Sequence, residues 1–399
     1  MFRKMPFILV AIIISIILFG PFIPLDIKQA LYSVSLSIKE LIILLLPFII
    51  FGLLFKAAVM LSKGATKIIG LILVLVCASN FLSTFLSHYV GIWIYNFDLS
   101  MLKPQESGGL ESLWTLGLPK LIANDKAMFA GIILGIIASK LTPVPTAKIS
   151  AHIEHTITKI LQGIVCMIPI FVAGFVIKLQ HDEVIGVIIR DYTAIFGCIA
   201  LAQFSYIAFI YYFLSHGRVR EFISSIKNML PAAISGFSTM SSAASMPLTL
   251  MGAENNARNK DLARSVVPAT VNIHLVGDCF AIPIFAYAVL KSFGMAEPSL
   301  LTYLIFTVYF VLAKFSVAAI PGGGIIVMLP ILKEYLGFND EMMALITALY
   351  ILFDPVITCA NVFGNGAFAK MIDRLVGKRT TVPQTAGLPV HGIATETEN

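Results

Sequence analysis

Apolar runs long enough to cross a bilayer recur along almost the whole chain, and they leave the backbone few options. Residues 6–24, 33–62, 68–95, 126–142, 150–179 and 189–215 each read as one run, and four further apolar blocks follow at 221–252, 261–293, 299–336 and 340–372. Hydrocarbon offers no water to N–H and C=O groups, so a crossing segment must satisfy its own backbone, which a helix of about 20 residues does. Composition agrees. Of 399 residues, 58% are hydrophobic and 13% charged, far from the balance of a soluble domain. The expected fold class is an all-α polytopic membrane protein with a lipid bilayer as its surroundings.

The remaining features fit that frame. Cys77, Cys166, Cys198, Cys279 and Cys359 lie in apolar segments without paired or metal-type spacing, so they read as small buried hydrophobes. The N-terminal run lacks a small-residue cleavage site and reads as a first, retained membrane helix. Residues 97–125, with Gly108, Gly109 and Trp114, read as a surface loop, "TPVPTAK" at 142–148 as a turn, and 379–399 as a flexible cytoplasmic tail. If the blocks 221–252 and 299–336 each enter and leave on one side, Arg3, Lys4, Arg218, Arg220, Arg374 and Arg379 gather on one face. Lys28, Lys103, Lys120 and Lys291 fall on the other. The positive-inside rule then puts both termini in the cytoplasm, at the cytoplasmic (inner) membrane. The net charge of +6 is thereby placed by topology and implies no nucleic-acid partner.

The two blocks that turn back share a design. "NMLPAAISGFSTMSSAASMPLTLMG" has apolar arms meeting at a hydroxyl-rich run around Ser241 and Ser242, and "AAIPGGGIIVML" breaks a long apolar block at Ile320, Pro321, Gly322, Gly323 and Gly324. Each reads as a helical hairpin with a non-helical tip. Such a tip is tolerated at membrane depth only inside protein or beside a wet cavity. Each hairpin is followed by a helix with polar residues in mid-span, "VNIHLVGDCF" and "FDPVITCANVFGNGAF". Hairpin plus polar helix, twice and from opposite sides, is an inverted repeat, the pattern of secondary transporters with a solute site near the midplane. The expected architecture is eight transmembrane helices plus two re-entrant hairpins.

"FSTMSSAASMPLTLMGAE", "IPGGG" and "DPVITCANVFGN" resemble the serine-rich hairpin, the proline-glycine hairpin and the last-helix motif of the dicarboxylate/amino acid:cation symporter family, which includes the glutamate transporters. The resemblance covers roughly residues 1–378. It implies a homotrimer in which a scaffold, mainly 1–65 and 126–180, holds an elevator-like transport unit, mainly 68–95 and 189–378, moving a small solute without a prosthetic cofactor. It places Ser241, Ser242, Ile320, Gly324 and Thr358 around the solute, with Asp354 for an ammonium group, Asn361 for a carboxylate and Pro321, Gly322 and Gly323 as a gate. Departures from the family pattern carry information too. The arginines that acidic-substrate members use fall at Ile357 and Met240, which favours a neutral amino acid over an acidic amino acid or C4-dicarboxylate. The family's sodium carboxylates fall at Val276 and Asn365, which weakens hard-cation binding.

His274 and Asp278, four apart, are expected on one face of a helix, where the pair would carry a coupling proton in place of sodium. The plainer reading is that Asp278 bonds hydroxyl side chains and His274 is a satisfied neighbour. Ser79, Asn80 and His88 either complete an ion site or hydrogen-bond between helices. The expected coupling ion is H+ or Na+. Two other classes are weighed: an intramembrane hydrolase built on Ser242, His274 and Asp278, for which neither a nucleophile elbow nor a metal motif is present, and a passive channel, which two gates argue against.

Overall fold

The computed structural model describes residues 5–62, 67–97, 109–119, 121–122, 124–182, 185–317 and 322–376. These residues are helical apart from short connections, and no strand occurs among them. The helices are α1 (Met5–Phe19), α2 (Leu25–Ser62), α3 (Lys67–Tyr95), α4 (Asn124–Leu141), α5 (Pro143–His181), α6 (Ile185–Leu214) and α7 (Val219–Thr239). They continue with α8 (Ser242–Asn256), α9 (Lys260–Thr270), α10 (Val276–Ser292), α11 (Leu300–Lys314), α12 (Gly323–Leu336) and α13 (Asp340–Val376). Among the described residues three helical stretches are long and apolar enough to cross a membrane: Gly70–Tyr95, Arg190–Leu214 and Asp340–Val376.

Several boundaries differ from those read in the sequence. α2 begins at Leu25 rather than 33. The turn expected at 142–148 shrinks to Thr142, because Pro143 opens α5 in the first-turn position where a missing N–H costs nothing. The block 261–293 is two helices separated by a non-helical stretch from Val271 to Leu275. All five cysteines are free, but of these expected buried residues only Cys279 is buried, Cys77, Cys198 and Cys359 being partly buried and Cys166 exposed.

Packing follows small residues and apolar faces. α2 lies along α4 and α5, and α1 along α5. The α2–α4 approach is close because α4 offers glycine: a Cβ on Gly131 would sit 2.5 Å from the Phe51 carbonyl oxygen and one on Gly135 2.6 Å from that of Phe55. A second set of helices packs around α10 and α13, with α3 against α10 and α11, and α7 and α8 paired against each other and against α13. α10 is buried over nearly its whole length, which only a helix surrounded by other helices can be. Large apolar side chains turned outward, such as Leu201 and Phe213 on α6, both 71% exposed, suit a hydrocarbon environment.

Both turn-backs form. α7 and α8 are antiparallel arms of the first hairpin, whose tip is Met240 in the left-handed region (φ 51°) followed by Ser241 as the N-cap of α8, accepting the Ala244 N–H at 3.2 Å. A non-glycine residue there carries strain of about 1 to 2 kcal/mol. α11 and α12 are the arms of the second. Its described tip is Gly322, at φ 71°, a conformation glycine adopts freely, after which α12 starts at Gly323 and takes Gly324 into its first turn. Ile320 and Pro321 lie outside the described residues.

Candidate functional site

The break between α9 and α10 is held open by three asparagines. Non-helical backbone in a buried position needs partners for its polar groups, and side chains from other helices supply them. Asn80 of α3 donates to the Ile273 carbonyl at 2.7 Å and accepts the Leu275 N–H at 3.3 Å. Asn361 of α13 accepts the Gly277 N–H at 2.8 Å, and Asn365 donates to the carbonyls of Asn361 at 2.9 Å and His274 at 3.3 Å. The Asn365 Oδ1 itself is buried without a hydrogen-bond partner among the described residues. Neutral oxygens thus gather where α13 passes the break. Of the two readings open for Asn80, Ser79 and His88, the interhelical one holds: Ser79 pairs with His274 Nε2 at 2.9 Å and His88 Nδ1 with the Tyr287 hydroxyl at 2.6 Å.

The second hairpin is pinned to the same stretch of α13. Asp354 Oδ2 accepts the Gly322 N–H at 2.9 Å while its Oδ1 accepts the Thr358 hydroxyl at 3.0 Å. Gly324 lies so near α10 and α13 that a Cβ would stand 2.7 Å from Asp278 Oδ2 and would collide with the Tyr350 hydroxyl. The first hairpin approaches from a third side: a Cβ on Gly236 would meet Val362 at 3.0 Å and the Thr358 carbonyl oxygen at 3.4 Å. α13 between Asp354 and Asn365 is therefore the meeting line of the two hairpin elements and the α9–α10 break. Ser242 is buried at the start of α8, and Ser241 caps that helix.

One expected pair does not exist. His274 precedes α10 instead of belonging to it, so the four-residue spacing to Asp278 does not place them on one face. His274 pairs with Ser79 and lies 4.4 Å, centroid to centroid, from the Phe368 ring. Asp278 instead accepts from Lys314 Nζ at 3.0 Å and from the Tyr350 hydroxyl at 2.8 Å. The same separation dismantles the Ser242, His274 and Asp278 arrangement a hydrolase would need, since neither contact of the histidine or the aspartate is a member of it. Lys314 and Tyr350 were not singled out in the sequence. The signal for Lys314 was present, because it is the sole charged residue between Ser299 and Leu332, and charge inside an apolar block is costly enough to imply a partner.

An apolar groove of about 820 Å³ runs between α3, α6 and the end of α13. Of the candidate residues only Ser79 lines it, and its mostly apolar walls, whose polar members include Tyr206, Tyr212, His216 and Arg374, hold no carboxylate to receive an ammonium group. Chemically the meeting line on α13 is the better site. It offers a carboxylate at Asp354, amide groups at Asn361 and Asn365, and a hydroxyl at Thr358.

A match to the sodium:dicarboxylate symporter family extends over residues 5–375. The chain belongs to this family. It is an integral membrane transporter, not an enzyme. The serine/threonine transporter SstT of Acinetobacter baumannii (strain SDF) is 22% identical over 285 residues, covering 67% of this chain and 70% of that protein. The excitatory amino acid transporter 1 of Mus musculus is 25% identical over 209 residues, covering 51% of this chain and 37% of its own length. The transporter thus concentrates polar side chains on α13, where Asp354, Thr358, Asn361 and Asn365 are all buried.

Proposed function

We propose that this transporter is a sodium-coupled symporter of a small neutral amino acid, with Asp354 receiving the α-ammonium and Asn361 the α-carboxylate. The observation that carries this reading is the convergence on α13. Asp354, Thr358 and Asn361 occupy successive turns of one helix face, with the Gly322 tip above and the α9–α10 break beside them. Asn361 spends its carbonyl on Gly277, which turns its NH2 group toward an acceptor such as a carboxylate. Ile357 and Met240 are buried and apolar where an acidic side chain would need a guanidinium. The serine/threonine specificity in the name of one relative supports the same substrate class.

Sodium is the coupling ion in this reading. Asn365 Oδ1 and the His274 and Asn361 carbonyls are neutral oxygen donors suited to a hard monovalent cation, and Ser241, Ser242 and Gly324 frame the solute from the hairpin tips. The architecture that fits is a trimer in the cytoplasmic membrane with both termini inside. Eight transmembrane helices and two hairpins form inverted repeats, and residues 68–95 and 189–378 slide as an elevator against a scaffold of 1–65 and 126–180. The gate is Pro321, Gly322 and Gly323.

Reconstituted proteoliposomes test it. An inward sodium gradient should drive accumulation of L-serine, L-threonine or L-alanine, and choline replacement should stop it. Asp354→Asn should abolish uptake with the protein still assembled, because it removes one partner of a buried charge pair, a loss on the order of 3 to 5 kcal/mol. Accumulation of succinate or L-aspartate with no response to neutral amino acids would overturn the substrate class.

A further inference from the structure

The Lys314–Asp278 pair lies outside the solute chemistry just described, and it is unusual in position. Lys314 is the last residue of α11 and Asp278 stands in the first turn of α10. Each charge therefore sits at the helix end whose dipole favours it. Both side chains are shut away from solvent, at 0% and 2% exposure. The lysine ammonium lies over the Phe310 ring, with Nζ 4.6 Å from its centroid. Both carboxylate oxygens are committed, Oδ2 to Lys314 and Oδ1 to Tyr350. The pair therefore ties the second hairpin to α10 directly beneath the Gly322–Gly324 tip.

A carboxylate in this position cannot be left bare. Desolvating an unpaired charge costs several kcal/mol, so closing the hairpin against α10 demands a cation beside Asp278. A mobile monovalent ion is one way to bring it; an ammonium on a side chain is another. The α9–α10 break presents the opposite case: among the described residues its oxygens are neutral, one of them lacks a partner, and no cationic side chain is hydrogen-bonded to them. An oxygen ligand for a mobile ion is left over there, whereas the charge requirement at Asp278 is met by the chain.

We propose that Lys314 is a tethered substitute for a coupling cation: its ammonium supplies at the hairpin–α10 interface the positive charge that a bound monovalent ion would otherwise bring, so the second hairpin closes with one mobile cation fewer. This deepens the symporter reading and rests on it for the role of the hairpin as a gate. Lys314 is accordingly a positioning residue for ion coupling.

The test uses the purified full-length protein without solute, so that its outcome is independent of which amino acid is carried. Unfolding midpoints are measured against NaCl and ethylammonium chloride, at ionic strength held constant with N-methyl-D-glucamine chloride. In wild type, ethylammonium should have no saturable effect. Lys314→Ala should unfold at lower temperature and regain most of the loss along a saturable curve with ethylammonium or sodium, since a ligand that binds the native state raises its apparent stability. The neutral double variant Lys314→Met with Asp278→Asn should be recovered in any salt, give no saturable response to ethylammonium, and respond to sodium no more than wild type does through the α9–α10 break. Insensitivity of Lys314→Ala to ethylammonium, with a sodium response no larger than that of wild type, overturns the proposal, as does an equal ethylammonium response of the double variant. Failure to recover Lys314→Ala in every salt also overturns it, because a free cation then cannot take the place of the ammonium. Loss of serine uptake in wild type would instead sink the substrate reading and leave these cation titrations unaffected.

Discussion

Gly324→Ala is the sharpest single perturbation of the gate. A Cβ at this position would stand 2.7 Å from Asp278 Oδ2, and ordinary contact starts at 3.4 Å. The carboxylate must therefore retreat by about 0.7 Å and the Tyr350 hydroxyl bonded to it must move as well, or the tip must rise by more than that, and no flexible chain end is available to absorb it because both carboxylate oxygens are held. Retreat along the bond to Lys314, now 3.0 Å, would stretch it beyond hydrogen-bonding reach. A buried charge-assisted bond contributes roughly 1.5 to 3 kcal/mol, and overpacking costs about 1 to 3 kcal/mol. These describe one displacement and are not added. Taking about 2 kcal/mol, the closed hairpin becomes roughly 30-fold less populated, and L-serine affinity falls by the same factor. Calorimetric titration of the detergent-purified variant measures it. Gly197→Ala on α6 is the control, since nothing lies within 4 Å of its Cβ position, and its affinity should be unchanged. Affinity within threefold of wild type for a normally folded Gly324→Ala would refute the argument that the tip seats by close approach to Asp278.

Other outcomes follow from the same geometry. Asn365→Asp places an anionic oxygen beside the His274 carbonyl and should lower the sodium concentration for half-maximal uptake about tenfold, on the order of 1.4 kcal/mol; an unchanged sodium curve counts against the break as the ion's place. Lys370 is buried and donates to Ser215 at 3.1 Å and Ser225 at 2.8 Å, beside Glu221, which Arg374 also pairs. Lys370→Met should loosen the base of the first hairpin, seen as faster amide exchange across 219–239, while the second hairpin keeps its protection.

Much of the architecture was legible because lipid removes alternatives. A proline followed by three glycines inside an apolar block admits almost nothing but a turn, and "DPVITCAN" places a carboxylate and an amide two turns apart on whatever helix forms. The link from Gly322 to Asp354 is thus nearly readable from the chain. The α9–α10 break was not, since residues 271–275 contain neither glycine nor proline and stay non-helical through Asn80, Asn361 and Asn365, partners far away in sequence. The same blindness produced the His274–Asp278 pair, because a four-residue spacing means a shared face only if the helix runs through both. Lys314 announced itself as a lone charge, yet its partner lies 36 positions away on another helix, and nothing local says which carboxylate it will find.

The Lys314 ammonium bears on the energetics of accumulation. An ion released inside the cell leaves its crossing behind as work done, whereas a charge bonded to the carrier goes out again when the empty carrier returns. Its passage through the membrane potential cancels over the cycle. Each mobile charge is worth about 2.3 kcal/mol per 100 mV, close to a fiftyfold concentration ratio. A transporter that carries one of its cations as a side chain forgoes that factor in the steepest gradient it can hold. It gains an empty carrier whose second hairpin is already neutral when shut, and can return without waiting for an ion to arrive.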